Sequence, residues 1–253
     1  MRLIDTHCHV YDERFPDPDA AIRQSLALGV EMIIVGTEPA SWRQAIQLAE
    51  SHVRVWAIVG WHPNYSAAYT TESMIELREC LAHPKVVALG EIGLDFHWDY
   101  ATREQQDFAL AIQLDLAAEL DMPVVFHSRE ANPELLTVLE GRPPHPYLIH
   151  CFSGNAEEAQ RAQALGAVIG LDGPLTYPKA SELRQIAAGY SREKVVLETD
   201  SPYMAPVPYR GKTNRPEYVA FVNEELARVW GVSPEESARI TTENAIRFFR
   251  LPG

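Results

Sequence analysis

The sequence opens on Leu3-Ile4-Asp5-Thr6-His7-Cys8-His9, a short aliphatic run that passes directly into polar side chains. Eight such apolar runs recur along the chain, and many are separated by longer stretches with helical spacing of apolar residues, such as 104–120. Near-continuous apolarity indicates strands buried on both faces, and their alternation with helices predicts parallel βαβ units. The runs lie at residues 2–4, 32–35, 55–59, 86–89, 124–126, 147–149, 167–169 and 195–197.

The length of the chain distinguishes two arrangements of these units. An open doubly wound sheet is the alternative, but eight strand–helix units in 253 residues match the roughly 250 residues typical of a closed barrel. Neither a linker nor a low-complexity tract marks a boundary, so residues 1–253 are predicted to form one α/β domain, a (β/α)₈ TIM barrel. The proline-rich segment 202–216 is predicted to be one long loop, followed by helices that close the barrel.

Composition restricts the partners and the compartment. The formal charge of −13, from 22 basic and 35 acidic residues, argues against binding duplex nucleic acid through a broad cationic face. Cys8, Cys80 and Cys151 are too few and too scattered for a disulfide framework. The N terminus does not resemble a signal peptide, and no apolar run reaches the roughly 18 residues of a membrane span. We therefore expect a cytoplasmic protein with no membrane contact and no obligate protein partner.

Polar residues follow most of the predicted strands. All strands of a barrel point the same way, so these residues converge at its C-terminal face, where such enzymes place their chemistry. His7 and His9 are two apart on an extended segment and face the same side, while Cys8 faces away. The converging donors are His7, His9, Glu91, His127, His150 and Asp200. Four imidazoles and two carboxylates exceed what one tetrahedral zinc uses, which predicts two divalent cations bridged by a carboxylate.

Three further carboxylates, Asp5, Glu198 and Asp95, share faces with predicted ligands. Metal-bound imidazoles commonly donate their second N–H to a carboxylate, so these residues are candidates to orient ligands or substrate. Salt bridges at the rim are the alternative. A pair of cations activates water near neutral pH and stabilises the attacking and leaving oxygens of a displacement, which predicts a hydrolase.

Five segments resemble the TatD family of metal-dependent deoxyribonucleases. They are DTHCH at 5–9, GEIGLD at 90–95, FHSREA at 126–131, HCFSG at 150–154 and ETDSPY at 198–203, and the similarity spans essentially the whole chain. A further segment, APVPYRGKTNRP at 205–216, is similar to the family's substrate-side loop.

The resemblance implies how the donors divide between the cations. One cation would be held by His7, His9, Glu91 and Asp200, and the other by Glu91, His127 and His150. Glu91 then fills the bridging role that a carbamylated lysine has in many related barrels. The donor types leave the metal open among zinc, manganese and magnesium.

The predicted function is hydrolysis of a phosphodiester in single-stranded DNA or a nucleotide, and the resemblance implies an exonuclease working from the 3′ end. Asp200 and Glu91 are the predicted catalytic residues, with Asp200 helping to deprotonate the attacking water. The predicted substrate contacts are His62, Asp95, Arg129, Tyr203, Arg210 and Asn214. Five aromatic residues after strands either stack on bases or pack the loops: Trp61, Tyr65, Phe96, Trp98 and Tyr203.

Two other classes of function are compatible with the fold. The same chemistry attacks carbonyl carbon, so a metal-dependent acyl hydrolase, such as a D-aminoacyl-tRNA deacylase, is the first alternative. A non-catalytic scaffold is the second, although such a protein has little reason to retain every ligand position.

Overall fold

The computed structural model describes residues 1–253, and its single sheet has eight parallel strands in the order β1 to β8. The strands are Leu3–Cys8 (β1), Val30–Gly36 (β2), Val55–Val59 (β3), Val86–Asp95 (β4), Val124–Arg129 (β5), Tyr147–Ile149 (β6), Val168–Leu171 (β7) and Val195–Leu197 (β8). The first strand also meets the segment after the last one. His9 N donates to Ser201 O at 2.7 Å, and Asp200 N donates to His7 O at 2.9 Å. The predicted (β/α)₈ barrel is thereby confirmed as a nearly closed ring.

Helices fill the connections between strands. They are Pro18–Ala27 (α1), Pro39–Ser51 (α2), Thr71–Leu81 (α3), Arg103–Leu120 (α4), Asn132–Glu140 (α5), Ala156–Ala164 (α6), Ser181–Gly189 (α7), Val219–Trp230 (α8) and Pro234–Phe249 (α9). The start of α4 shows how the sequence sets these bounds. The Thr102 side chain accepts from Gln105 N, and the Gln105 side chain accepts from Thr102 N, so donors that the helix leaves unpaired are satisfied. None of these helices has both the length and the apolarity needed to cross a bilayer.

The inside of the barrel is packed at the end opposite the predicted site. Inward-facing apolar side chains of the strands, such as Ile33 and Ile58, form one cluster with Ala245 and Phe249 of α9. The last helix therefore closes the N-terminal end, as the sequence predicts. The C-terminal end alone remains open for chemistry.

Three strands extend past their apolar runs into the polar motifs. The sequence placed the polar motifs after the strands, but β1 continues to Cys8, β4 to Asp95 and β5 to Arg129. Backbone pairing is independent of side-chain polarity, so the ladder continues while the inward side chains change from apolar to ligating. At Gly93 φ is 145°, and a β-carbon there would overlap the carbonyl oxygen of His127, so β4 and β5 come close only because this position has no side chain.

Candidate metal centre

The C-terminal ends of the strands surround a cavity of about 760 Å³. Most of the predicted site residues lie in its wall: His9, His62, Glu91, Asp95, His127, Arg129, His150, Asp200 and Tyr203. His7 lies behind this wall, with its ring stacked on that of His150 at a centroid distance of 3.7 Å. Residues from six different strands and their following loops thus meet in one place, as the barrel topology predicts.

Glu91 lies at the centre of this group. Its Oε1 is 2.8 Å from His127 Nδ1, 3.2 Å from His150 Nε2 and 3.8 Å from His62 Nε2, and its Oε2 is 3.3 Å from His7 Nε2. Burial opposes ionisation of Glu91, but the surrounding imidazoles outweigh it and hold the pKa of the carboxyl well below its usual range. A single charged carboxylate is therefore shared by four rings.

His7 is the most enclosed of the predicted ligands, with none of its surface exposed. Neither ring nitrogen has a hydrogen-bond partner, although Nε2 lies 3.3 Å from Glu91 Oε2 and 4.0 Å from Asp200 Oδ1. A buried polar atom left without a partner costs about 1–3 kcal/mol. Burial and the neighbouring His150 lower the pKa of His7, so the imidazole keeps a lone pair to donate. A cation between this nitrogen and the two carboxylates would satisfy it.

Two other imidazoles are held in the tautomer that a metal ligand needs. His9 Nδ1 lies 3.0 Å from Val35 O, so the ring proton belongs on Nδ1 and the Nε2 lone pair faces Asp200 Oδ1, 3.4 Å away. His127 Nε2 lies 2.9 Å from Asp95 Oδ2, which leaves Nδ1 facing the centre. In both rings a protein oxygen accepts one N–H, and the second nitrogen faces a carboxylate of the centre, where it could ligate a cation.

His62 faces the same centre with a nitrogen that carries a proton. Asn64 N donates to His62 Nδ1 at 3.1 Å, so a neutral ring carries its proton on Nε2, the atom nearest Glu91. Burial and the neighbouring His127 lower the pKa of His62 to about 3, so the ring is neutral at ordinary pH. His62 is therefore built to donate a hydrogen bond into the cavity and not to ligate through Nε2.

Atoms of the types that can ligate a metal form three overlapping groups, each with all of its atoms within 4.8 Å of one another, and the third includes His62 by distance alone. The groups are His7 with His150 and Asp200, His7 with His9 and Glu91, and His62 with Glu91 and His127. Imidazole and carboxylate donors crowded in this way suit a divalent transition metal. The unpartnered nitrogens of His7 and the fixed tautomers of His9 and His127 fit the same requirement, so the residues present fit a metal centre.

Comparison with known proteins agrees with this geometry. Residues 4–250 match the family described as TatD related DNase. The chain is 35% identical to an uncharacterized metal-dependent hydrolase, YabD, of Bacillus subtilis, with 98% of this chain and 99% of that protein covered. It is also 35% identical to a protein of Pantoea vagans named 3′-5′ ssDNA/RNA exonuclease TatD, with 93% and 94% covered. The crystal structure of YjjV, a TatD homologue of Escherichia coli, superposes with a TM-score of 0.93 at 35% identity over 99% of both chains.

This chain belongs to the TatD family. The resemblance drawn from the five motif segments is confirmed, and with it the class of metal-dependent hydrolases to which the relatives are assigned. The donor set that surrounds Glu91 therefore lies in a fold whose relatives are named for metal-dependent hydrolysis.

His150, like His127, has carboxylates on both sides. Its Nε2 lies 3.2 Å from Glu91 Oε1, and its Nδ1 lies 3.2 Å from Glu198 Oε1, out of line for a hydrogen bond. Burial alone would lower the pKa of His150, but Glu91 and Glu198 outweigh it and raise the pKa well above its usual value. Metal-free His150 therefore carries a proton at neutral pH that a bound cation must displace.

Cation affinity is accordingly expected to fall as the pH falls. The raised pKa of His150 means that its proton competes with the cation throughout the neutral range, and each displaced proton changes the affinity by about tenfold per pH unit. Calorimetric titration with Mn²⁺ in buffers of different ionisation enthalpy measures both the affinity and the protons released. As a control, His145→Gln, at a ring bonded to Met122 O outside the cavity, should leave the pH dependence unchanged. Equal affinity at neutral pH and at about pH 5, below the free imidazole pKa, would contradict histidine ligation.

The loop after β8 positions Asp200. Asp200 adopts φ of 53°, and the neighbouring Thr199 donates its N–H at 2.8 Å and its hydroxyl at 2.6 Å to the carboxylate of Asp5. Asp5 was predicted to orient a ligand or the substrate, and its hydrogen bonds go to the backbone and to Thr199, not to an imidazole. Asp5 therefore acts on Asp200 through the loop that carries it.

Two predicted substrate contacts lie outside the cavity wall. Asn214 is fully buried, and its amide donates at 2.7 Å to Thr199 O and to Tyr203 O, so it fastens the loop 202–216. Arg210 lies over the ring of Tyr177, with its guanidinium carbon 4.4 Å from the ring centroid. The sequence shows which loop carries these residues. It does not show which of their side chains make contacts within the protein and which remain available to a substrate.

Several wall residues were missed by the sequence analysis. They are Tyr11, Asp12, Thr37, Glu38, Ser41, Asn64 and Tyr100. Tyr11 had a signal only in its place two residues after His9; it lies in the turn that follows β1, and its hydroxyl lies 3.1 Å from His9 Nδ1. The others are ordinary polar or aromatic residues in the segments that follow β1, β2, β3 and β4, and only the fold brings them to the cavity.

Proposed function

We propose that this protein is a 3′–5′ exonuclease that hydrolyses phosphodiester bonds at single-stranded DNA ends, using two divalent cations bridged by Glu91. One observation carries the proposal: a buried, charged carboxylate lies among four imidazoles at the open end of the barrel, beside the unpartnered nitrogens of His7. A relative with 35% identity carries the name of a 3′–5′ ssDNA/RNA exonuclease, which supports the choice of substrate.

The division of ligands in this proposal is the one that the resemblance to the family implies. His7, His9, Glu91 and Asp200 would hold one cation, and Glu91, His127 and His150, which surround the same carboxylate, would hold the other. Bound there, divalent cations supply Lewis-acid activation of water and positive charge for phosphate oxygens. Asp95 accepts a hydrogen bond from the Nε2–H of His127, so that the Nδ1 of the same ring would be the atom that ligates a cation.

The reaction needs a proton acceptor and donors to the phosphate. Asp200, whose side chain is 18% exposed, reaches the cavity and accepts the proton of the attacking water. The Nε2–H of His62 donates to a phosphate oxygen without adding charge, because the ring stays neutral. Arg129 forms no ion pair within the protein, so its exposed guanidinium is available to the substrate phosphate. The half-exposed ring of Tyr203, 6.3 Å from that of His9, borders the same space.

A labelled oligonucleotide tests this function directly. Chelator-treated protein reloaded with Mn²⁺, Mg²⁺ or Zn²⁺ is given 5′-end-labelled single-stranded DNA, and in parallel a panel of carboxylic esters, amides and D-aminoacyl-tRNA. We expect products that shorten one nucleotide at a time and keep the label, with a 3′-terminal phosphorothioate slowing the first step. Hydrolysis of the ester or amide panel without cleavage of DNA would replace this function by acyl hydrolysis.

Substitution of Arg210 tests whether the loop 202–216 binds the DNA substrate. It has no carboxylate partner in an otherwise acidic protein, so we expect Arg210→Ala to raise KM for DNA by about tenfold, the cost of one charge-assisted contact. Metal occupancy should not change, and Arg210→Lys should rescue only in part because lysine lacks the planar fork. Arg250→Ala, which removes an exposed arginine paired with Asp121, serves as the matched control.

The alternative role for Arg210 is to hold the loop against Tyr177. In that case the rise in KM should come with faster proteolysis of residues 202–216, and Arg210→Lys should restore neither property. Unaltered kinetics in a fully metallated Arg210→Ala enzyme would show that this side chain does not touch the substrate.

A further inference from the structure

The mouth of the cavity carries an aromatic pair that the metal chemistry does not use. Trp98 is 44% exposed and Tyr100 is 64% exposed, and both line the cavity beside the metal centre. The four other tryptophans are at most 5% exposed: Trp42, Trp56, Trp61 and Trp230. Large aromatic surfaces are normally buried, so one exposed tryptophan at the rim of a catalytic cavity indicates a surface for binding.

The pair forms a continuous wall that is fixed to the metal centre. The rings of Trp98 and Tyr100 are 5.8 Å apart with 33° between their planes, and the guanidinium carbon of Arg129 lies 5.6 Å from the centroid of Trp98. The carboxylate of Asp95 accepts from Trp98 N at 3.3 Å and also faces His127 Nε2. The same carboxylate therefore sets the position of the wall and of a predicted metal ligand.

Three of the four other aromatic candidates from the sequence are occupied, and the fourth, Tyr65, is 41% exposed and lines the same cavity. Trp61 is buried edge to face against Trp42, with the ring centroids 5.6 Å apart. Phe96 lies under Arg103, whose guanidinium carbon is 4.2 Å from its centroid. Tyr203 is half exposed, but Arg14 lies over its ring at 4.1 Å. Trp98, with Tyr100 beside it, offers an exposed aromatic surface next to Arg129, which forms no ion pair within the protein.

We propose that Trp98 and Tyr100 form a stacking subsite for a nucleobase of a single-stranded substrate, with Arg129 bound to the adjoining phosphate. This subsite rests on the nuclease function proposed above. It adds that the enzyme recognises a nucleobase of the substrate as well as its phosphate. Stacking on an aromatic face accepts any base, and it requires a base free of duplex stacking. The wall thus favours single-stranded ends over duplex and does so without base specificity.

A hydrolysis-resistant probe separates the base from the phosphate. Metal-loaded protein is titrated with a fluorescein-labelled phosphorothioate tetranucleotide and with its abasic counterpart, which has the same linkages but no bases, and binding is followed by anisotropy. Trp98→Ala is expected to weaken binding of the base-bearing probe by at least about fivefold, the lower bound for one stacked base, and to leave the abasic probe unchanged. Arg129→Ala should weaken both probes, and Trp98→Phe should keep most of the affinity. Phe108→Ala, at another exposed aromatic residue outside the cavity, should weaken neither.

The outcomes separate this subsite from the nuclease function. Equal loss for both probes in Trp98→Ala would mean that the side chain only supports the loop, and no loss for either would mean that no base stacks there; each result overturns the subsite. If the wild-type enzyme cleaves DNA while either of these is observed, the nuclease function survives and the subsite does not. If the wild-type protein neither cleaves DNA nor distinguishes the two probes, both proposals are wrong.

Discussion

Glutamine in place of Glu91 is expected to lower kcat/KM by about a thousandfold, equivalent to about 4 kcal/mol of transition-state stabilisation. The amide has the size of the carboxylate but lacks its charge, so it could not serve as the shared ligand of the two proposed cations beside His7, His127 and His150. His127→Ala and chelator-treated wild type should lose activity in the same way. The fold should remain, because these residues lie at the rim and not in the packed interior.

The control for Glu91 is a second buried carboxylate, which lies on β2. Glu31 is 1% exposed and pairs with Arg2 and Arg54 at the other end of the barrel. Glu31→Gln should reduce thermal stability and leave kcat unchanged. Glu91→Gln should leave the fold intact and lower activity. Circular dichroism, thermal melting and turnover on each purified variant give the comparison. Full metal-dependent activity in Glu91→Gln would exclude the proposed centre.

Asparagine in place of Asp200 is expected to lower kcat by about 10²- to 10⁴-fold, the usual contribution of a positioned general base. Asp200 has φ of 53°, a conformation that asparagine adopts readily, so the substitution removes the charge without straining the backbone. The hydrogen bond from its N–H to His7 O is retained as well.

Turnover of Asp200→Asn must be measured at saturating cation, because the same carboxylate is a proposed ligand. Burial opposes ionisation of Asp200, but His9 and the other neighbouring imidazoles outweigh it and lower the pKa of the carboxyl. In the wild type it therefore stays ionised as a base down to acidic pH. An unchanged kcat in a fully metallated variant would assign the proton to another acceptor.

The arrangement of the metal centre was accessible from the sequence for a simple physical reason. Strand residues alternate between two faces, and parallel strands of a barrel end at one rim, so His7, His9, Glu91 and His127 had to converge. Cys8 shows the same rule from the opposite face, since its thiol donates to Ile33 O at 3.4 Å, away from the site.

The sequence could not predict which partner each loop side chain contacts. Asn214 and Arg210 belong to one polar segment. The amide of Asn214 donates its hydrogen bonds to backbone carbonyls, whereas the guanidinium of Arg210 lies over the ring of Tyr177. The tautomer of His62 likewise depends on Asn64 N, a contact made by the turn that follows β3. The partners of these side chains depend on tertiary contacts, which leave no periodic pattern of residues in the sequence.

Anomalous diffraction from crystals reloaded with manganese tests the two-cation centre most directly. We expect two peaks about 3.5–4 Å apart. One should lie against His7, His9 and Asp200 and the other against His127 and His150, with the carboxylate of Glu91 between them. A single peak, or two peaks that do not share Glu91, would contradict the bridged centre.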